Sequence, residues 1–408
     1  MSETLGLYIS VPFCRAKCTY CNFASGVFPA SEYGRYVGRV CAEIRDAHER
    51  AARAGWRLPE RVGSVYLGGG TPSTLEPERL GEIFATLRGS FIVERDAEIT
   101  IECAPGQMAP NFLKAMVEVS VTRVSLGVQS MVDTEAAATG RMHTRAMVEQ
   151  DVLWLRDAGL AVNVDLIAGL PGQTLATWME SVAVVCGLGV EHASLYMLEV
   201  DEDSRLGREL IGGGARYGAG LVPSDDAVAA MYEAGCGRLE RAGLRQYEIS
   251  NFARRGSESR HNLRYWRREP YLGVGLDAHS MLRDCDGGAV RFGNTDELSE
   301  YLAGDAEGEI ERVHRAAEME EAWFLGLRLV EGVSLAALRR EFGDEAVAAF
   351  DEVIAELVAD GLLMREGDRA GLTMRGRMLS NEVFAEFLGV PASWVTERDA
   401  LELPLLTR

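Results

Sequence analysis

The stretch LGLYISVPFCRAKCTYCNFAS, residues 5 to 25, sets an apolar, β-branched run directly before three cysteines, Cys14, Cys18 and Cys21, at spacing C-x3-C-x2-C. The run reads as a strand and the cysteines as the loop that leaves it. Eight cysteines in 408 residues are too few for a disulfide scaffold, and thiols packed this closely favour metal over a bridge. Structural zinc is closed by four protein ligands, and no suitable fourth Cys or His lies nearby; the next cysteine is Cys41. Three thiolates suit a [4Fe–4S] cluster whose fourth iron stays open for an exogenous ligand.

Outward from this stretch, one pattern repeats over the first 250 residues. The runs VGSVYLGGG, AEITIEC, RVSLGVQ, AVNVDLIAGLP and HASLYMLEV follow, with RQYEIS as a candidate seventh. Helical segments separate them at about 31–54, 76–89, 111–119, 145–158 and 174–188, with apolar spacing such as Val148, Val152 and Leu155. Strands alternating with helices imply right-handed crossovers and a parallel sheet. The expected fold class is α/β, a partial (β/α)6 TIM-like barrel over residues 1–250. The unusual residues fall at one end of it. Cys14 to Cys21 follow the first strand and Gly68-Gly69-Gly70-Thr71 end the second. Glu102, Gln129 and Asp165 close the next three. In parallel barrels that end carries the reactive groups.

From residue 305 to 408 the pattern becomes helix, helix, helix, a hairpin around Gly367-Asp368 and a last helix, the order of a small winged-helix-like α+β domain. Residues 251–304 connect the two parts and contain HNLRYW, His261 to Trp266. The net charge of −20 repels phosphate backbones. With Glu318, Glu320, Glu321, Glu341, Asp344 and Glu345 on its first helices, the C-terminal domain is expected to pack or meet a partner rather than bind nucleic acid. Residues 1–12 lack the basic start and apolar run of a signal peptide, and no apolar run reaches the ~18 residues of a spanning helix. The chain reads as cytoplasmic.

The cysteine loop after the first barrel strand resembles the radical S-adenosylmethionine (SAM) superfamily. YISVPFC, GGGTPS, SLGVQS, GRMH and NVDLIAGLPGQT narrow the resemblance to the branch of oxygen-independent coproporphyrinogen III oxidases and their heme-chaperone relatives, over residues 5 to 380. The resemblance implies that Cys14, Cys18 and Cys21 hold the cluster and that the amino and carboxylate groups of SAM chelate the open iron. Reduction by the cluster would then cleave the sulfonium. It further implies SAM contacts at Tyr8, Tyr20, Gly69, Gly70, Thr71, Glu102, Gln129, Arg141 and Asp165. Tyr20, the aromatic before the last cysteine, would lie near adenine.

Two features separate the relatives. The oxidases continue the motif as C-x3-C-x2-C-x-C, whereas this chain has Phe23 at that place, and only seven residues precede Tyr8. HNLRYW resembles the H-N-x-x-Y-W motif of the chaperones, which implies His261 as an axial heme ligand. Tyr265 and Trp266 would offer flat faces to the porphyrin, and Arg264, Arg267 or Arg268 would meet propionates. Because HNLRYW follows the last strand, it is expected near the barrel's open end. The reading is therefore a heme chaperone passing heme to apo-acceptors such as respiratory enzymes, with peripheral membrane contact and a homodimer as further expectations. Coproporphyrinogen III oxidation or another radical SAM tetrapyrrole reaction remains the alternative. Cys41, Cys103, Cys186, Cys236 and Cys285 read as buried small residues. His143 is expected to touch SAM or cap a turn, and His279 to line the cavity or sit satisfied in the core.

Overall fold

The computed structural model describes residues 3–304 and 307–389, so residues 390–408 of the expected C-terminal domain lie outside the described residues. Six parallel strands form the half-barrel in sequence order: β1 (Leu5–Val11), β3 (Arg61–Gly69), β4 (Ile92–Cys103), β5 (Arg123–Gln129), β6 (Ala161–Ala168) and β7 (His192–Met197). The short β2 (Trp56–Arg57) pairs elsewhere. Between them run α1 (Ala30–Ala54), α2 (Pro77–Ser90), α3 (Pro110–Glu118), α4 (Asp133–Ala138), α5 (Arg145–Asp157) and α6 (Leu175–Leu188).

The period of two along each strand decides which residues face where. Leu7, Ile9, Val65, Leu67, Ile99, Ile101, Val124, Leu126, Val162 and Val164 are buried under the helices in one core. The alternate set, including Ser64, Ser125, Asn163 and Ser194, is also buried but polar, and its side chains hydrogen-bond on the concave side. Caps end the helices where the sequence signals them. Gly55 closes α1 in the left-handed region at φ 74, and Thr174 with Thr177 forms a capping box on α6.

The candidate seventh strand is corrected. RQYEIS is no parallel strand: after α7 (Arg205–Ile211) and α8 (Asp225–Arg241), β8 (Arg245–Gln246) turns back into β9 (Asn251–Ala253), which runs antiparallel to β7. Ala253 therefore ends opposite His192, at the start of β7. The chain leaves the sheet at the N-terminal end of the parallel strands. There α9 (Arg260–Trp266) crosses the opening to β10 (Tyr271–Val274), which pairs parallel with β1. The sheet then extends through β11 (His279–Asp284), β12 (Ala289–Asn294) and, after α10 (Leu298–Ala303), β13 (Glu307–Arg312).

The C-terminal unit comprises α11 (Arg315–Leu327), β14 (Val333–Ser334), α12 (Leu335–Phe342), α13 (Asp344–Ala348), α14 (Asp351–Ala359), the hairpin β15 (Leu363–Glu366) and β16 (Arg369–Leu372), α15 (Met374–Met378) and α16 (Ser380–Ala385). Its own core stacks Trp323 on Phe387 with centroids 4.7 Å apart and reaches Ile249 of the β8–β9 turn. Arg268 pairs with Glu341 at 2.7 Å across the junction.

Candidate functional site

The C-terminal ends of the strands open into a cavity of about 530 Å³ lined by Cys14, Cys18, Cys21, Tyr20, Gly69, Gly70, Thr71, Glu102, Gln129, Arg141 and Asp165. Each was singled out in the sequence, and the structure brings them together. Tyr8 stands beneath, its hydroxyl 3.5 Å from where a Cβ on Gly69 would be.

The cysteine loop is fixed by backbone contacts. Phe13, the residue before Cys14, is fully buried and stacks on Tyr33 at 3.9 Å, which anchors the start of the loop. The Cys14 amide donates to the Gly26 carbonyl at 2.8 Å, and the Thr19 amide to Thr139 at 3.1 Å. Leu206 of α7 donates to the Thr19 carbonyl at 2.8 Å, and Asn22 donates to Asp201 at 3.0 Å. Gly70 packs edge-on against the loop: a Cβ there would lie 2.8 Å from the Val11 oxygen and 2.9 Å from the Phe13 oxygen. Its amide donates to Val11 and that of Thr71 to Phe13, both at 2.8 Å, while the Thr71 hydroxyl reaches Cys14 Sγ at 3.7 Å. Burial pushes the Cys14 thiol up, and the Thr71 hydroxyl opposes this.

Two carboxylates face the loop. Glu102 accepts from the Tyr66 hydroxyl at 2.8 Å and from the Gly69 amide at 3.2 Å. Burial pushes its pKa up to about 7, Tyr66 pulling the other way and Asp165 adding to the rise. Asp165 accepts from Ser125 at 3.0 Å and Asn163 at 2.7 Å, and burial raises it too. Gln129 ends β5 at φ 71, an uncommon conformation for a residue with a Cβ. That turn points its side chain into the cavity, where Gln129 Oε1 and Arg141 Nε have no hydrogen-bond partner among the described residues. Buried polar atoms without partners are costly and mark places where a ligand belongs.

The donor set fits an iron–sulfur cluster with SAM. Among the described residues no three His, Cys, Asp or Glu side chains converge as ligands of one ion would. The three thiols instead line one wall, suited to a group in which each thiolate takes a different iron. Beside them lie a bare glycine edge, an orphaned guanidinium nitrogen and two carboxylates, complementary to an amino acid's carboxylate, amine and ribose hydroxyls.

HNLRYW does not join this site. The expectation that it lies near the open end is corrected, because the β8–β9 hairpin reverses the chain and delivers α9 to the opposite end. His261 is 1% exposed there. Its Nδ1 shares a hydrogen bond with Ser64 Oγ at 3.0 Å and its Nε2 another with Tyr265 Oη at 2.9 Å. Burial, with Arg264 adding, pulls its pKa down to about 3. The expected propionate partners are engaged as well. Arg264 donates to the Thr4 carbonyl at 2.7 Å, Arg267 pairs with Glu331 at 3.5 Å and Arg268 with Glu341. Trp266 lies under the Arg328 guanidinium at 4.3 Å.

Other expectations shift similarly. His143 is buried beside the site, held neutral with a pKa near 4 by burial and by Arg141. His279 is exposed next to Asp277 and does not line the cavity that holds the cysteines. Cys285 is exposed and Cys186 half-buried, while burial pushes the Cys103 thiol up to about 12, an inert thiol. Tyr66, Glu98 and Tyr247 were not singled out in the sequence, and His192 reads there as a structural histidine. Tyr66, Glu98 and His192 lie in β3, β4 and β7, where their signal is polar residues alternating with apolar ones.

Comparison with known proteins decides the family. Residues 8–185 match the Radical SAM superfamily and residues 313–379 the HemN C-terminal domain. The heme chaperone HemW of Mycobacterium tuberculosis is 36% identical over 390 residues, 95% of each chain. That of Bacillus subtilis is 32% identical over 389 residues, 94% of this chain and 98% of its own. The chain belongs to the HemW family. A mitochondrial radical S-adenosyl methionine domain-containing protein 1 of Danio rerio is 31% identical, over 80% of this chain and 73% of its own. The coproporphyrinogen III oxidase of Escherichia coli shares the fold, with TM-score 0.79 and 21% identity, covering 94% of this chain and 90% of its own. Membership of the radical SAM superfamily implies a [4Fe–4S] cluster and SAM for this HemW relative, as the cavity chemistry does. No helix among the described residues is long and apolar enough to cross a membrane.

Proposed function

We propose that this chain is a heme chaperone that takes heme and passes it to apo-acceptor proteins such as respiratory enzymes. The observation that carries the reading is similarity over 95% of both chains to a protein named heme chaperone HemW. Phe23, 62% exposed at the cavity mouth where the oxidases carry a cysteine, supports it.

In this reading Cys14, Cys18 and Cys21 hold the cluster. Gly69, Gly70 and Thr71 receive the methionine end of SAM, and Arg141 pairs with its carboxylate. Glu102, Gln129 and Asp165 take the amine and ribose, with Tyr20 against adenine and Tyr8 beneath. The bound cluster supplies single-electron reduction of SAM. The chain's own residues orient the ligand and hold Glu102 ready to ionise near neutral pH. His261 is the proposed heme ligand, with Tyr265 and Trp266 flanking the porphyrin, and it can serve only once α9 has left its seat. Cytoplasmic residence, acceptors at a membrane face, a homodimeric transfer unit and no nucleic-acid partner belong to the same reading. With a net charge of −20, membrane contact would run through the acceptor rather than through anionic lipid.

The test is anaerobic reconstitution followed by two assays. Heme is titrated into wild type and His261→Ala. In parallel, the protein is incubated with SAM, reductant and coproporphyrinogen III. Stoichiometric heme binding without protoporphyrinogen supports the chaperone; turnover to protoporphyrinogen overturns it.

A further inference from the structure

We propose that α9 is a removable plug that couples the two ends of the barrel, so that heme at His261 and SAM at the strand ends weaken each other's binding. The inference rests on the reading of His261 as heme ligand.

The plug is built into the fold. The Glu98 carboxylate on β4 accepts from the amides of Arg260 and His261, each at 2.9 Å, and from the Ser259 hydroxyl at 3.4 Å. Arg264 lies in a slot cleared by two glycines: a Cβ on Gly6 or on Gly63 would come within 2.7 Å of its side chain. In that slot it donates to Ser64 Oγ at 3.0 Å and to the Thr4 carbonyl. While α9 sits there, both nitrogens of His261 are occupied and no porphyrin face can reach either one.

Two lines run from the seat to the SAM carboxylates. His261 stacks on Tyr66 with centroids 5.4 Å apart, and Tyr66 donates to Glu102 at 2.8 Å. The second line is a directional chain of hydrogen bonds. The Ser259 amide donates to Tyr247 Oη at 3.2 Å, and Tyr247 Oη donates to His192 Nε2 at 2.9 Å. His192 Nδ1 donates to Asn163 Oδ1 at 2.6 Å, and Asn163 Nδ2 donates to Asp165 Oδ1 at 2.7 Å. The Asp165 carboxylate makes Asn163 Nδ2 the donor and Oδ1 the acceptor, which puts the imidazole proton on His192 Nδ1; burial holds His192 neutral, so its Nε2 accepts from Tyr247. Unseating α9 strips Tyr66 of the nearer of two stacked rings, leaving Tyr8 at 6.2 Å, and strips Tyr247 of the Ser259 amide. Glu102 and Asp165 are then less well held for SAM. A ligand that favours the seated state must oppose one that requires the unseated state, and by the same factor in both directions.

The test uses cluster-reconstituted protein without reductant, so that SAM stays intact. Hemin is titrated by its absorbance with and without saturating SAM, and SAM binding is measured by equilibrium dialysis with and without hemin. Each ligand is expected to weaken the other at least tenfold, by equal factors. Glu98→Gln, a poorer acceptor for the α9 amides, should tighten hemin and loosen SAM. Hydrogen exchange at the Arg260 and His261 amides should speed up with hemin and slow with SAM. Equal hemin affinity with and without SAM, while His261→Ala abolishes hemin binding, would overturn the coupling and leave the ligand reading standing. Wild-type hemin affinity in His261→Ala would overturn the ligand reading and the coupling with it.

Discussion

Replacing Gly70 by alanine tests whether the glycine edge holds the cysteine loop. The added Cβ would lie 2.8 Å from Pro12 C, 2.8 Å from Val11 O and 2.9 Å from Phe13 O. All three are backbone atoms, so no rotamer change relieves the contact, and β3 must move away from the loop. Overpacking of this kind costs about 1–3 kcal/mol. The move also stretches the amide bonds from Gly70 to Val11 and from Thr71 to Phe13, worth roughly 1 kcal/mol each. The sum is about 3–5 kcal/mol, a drop in Tm on the order of 6–20 °C at about 2–4 °C per kcal/mol. Cys14 shifts with the loop, so iron content after reconstitution should fall with stability. The control is Gly38→Ala in α1, where an added Cβ meets nothing within 4 Å; there alanine should stabilise by about 0.5–1 kcal/mol. Thermal melts and iron-to-protein ratios decide the matter. A Gly70→Ala protein that melts with wild type and takes up full iron would refute the anchoring role of this edge.

Phe13→Ala, which empties the stack on Tyr33, should destabilise by about 3–5 kcal/mol in denaturant titrations and impair cluster uptake without touching a ligand. His261 is buried neutral with a pKa of about 3, so the unfolded chain takes up a proton below about pH 6.5 that the folded chain refuses. Stability therefore falls as pH drops from there toward 3, and His261→Asn should reduce proton uptake on unfolding by about one between pH 6 and 4, as measured by the pH dependence of denaturant midpoints. Glu102 has the opposite sign. With its pKa raised to about 7, its contribution to the ligand-free fold is full below the ordinary carboxylate range and is lost as pH rises through 7. SAM, which carries an amine and a sulfonium, should bind more tightly as Glu102 ionises across that range, and Glu102→Gln should flatten the profile of SAM affinity against pH.

His261→Ala removes two buried hydrogen bonds and a ring stacked on Tyr66. Lost heme binding in that variant therefore counts as lost ligation only when its melting temperature is reported beside it.

The parallel strands, their crossover helices and the gathering of Cys14, Gly70, Glu102, Gln129 and Asp165 at one end were legible in the sequence, because strand ends in a parallel barrel must converge and local spacing names the ends. The polar interior was less legible. Ser64, Tyr66, Asn163 and His192 sit among apolar neighbours, and only the period of two, once the helices cover one face, shows that they point inward together. The place of HNLRYW was decided by tertiary structure alone. Nothing local distinguishes a seventh parallel strand from the β8–β9 hairpin: both are short segments after a helix. The difference lies in which edge β9 finds. Pairing antiparallel to β7 reverses the chain, carries α9 to the far end of the barrel and buries His261 against Ser64 and Tyr265. The sequence by itself determined which residues could meet a cluster, SAM and heme; long-range strand pairing decided that the first two share a cavity and that His261 lies sealed behind it.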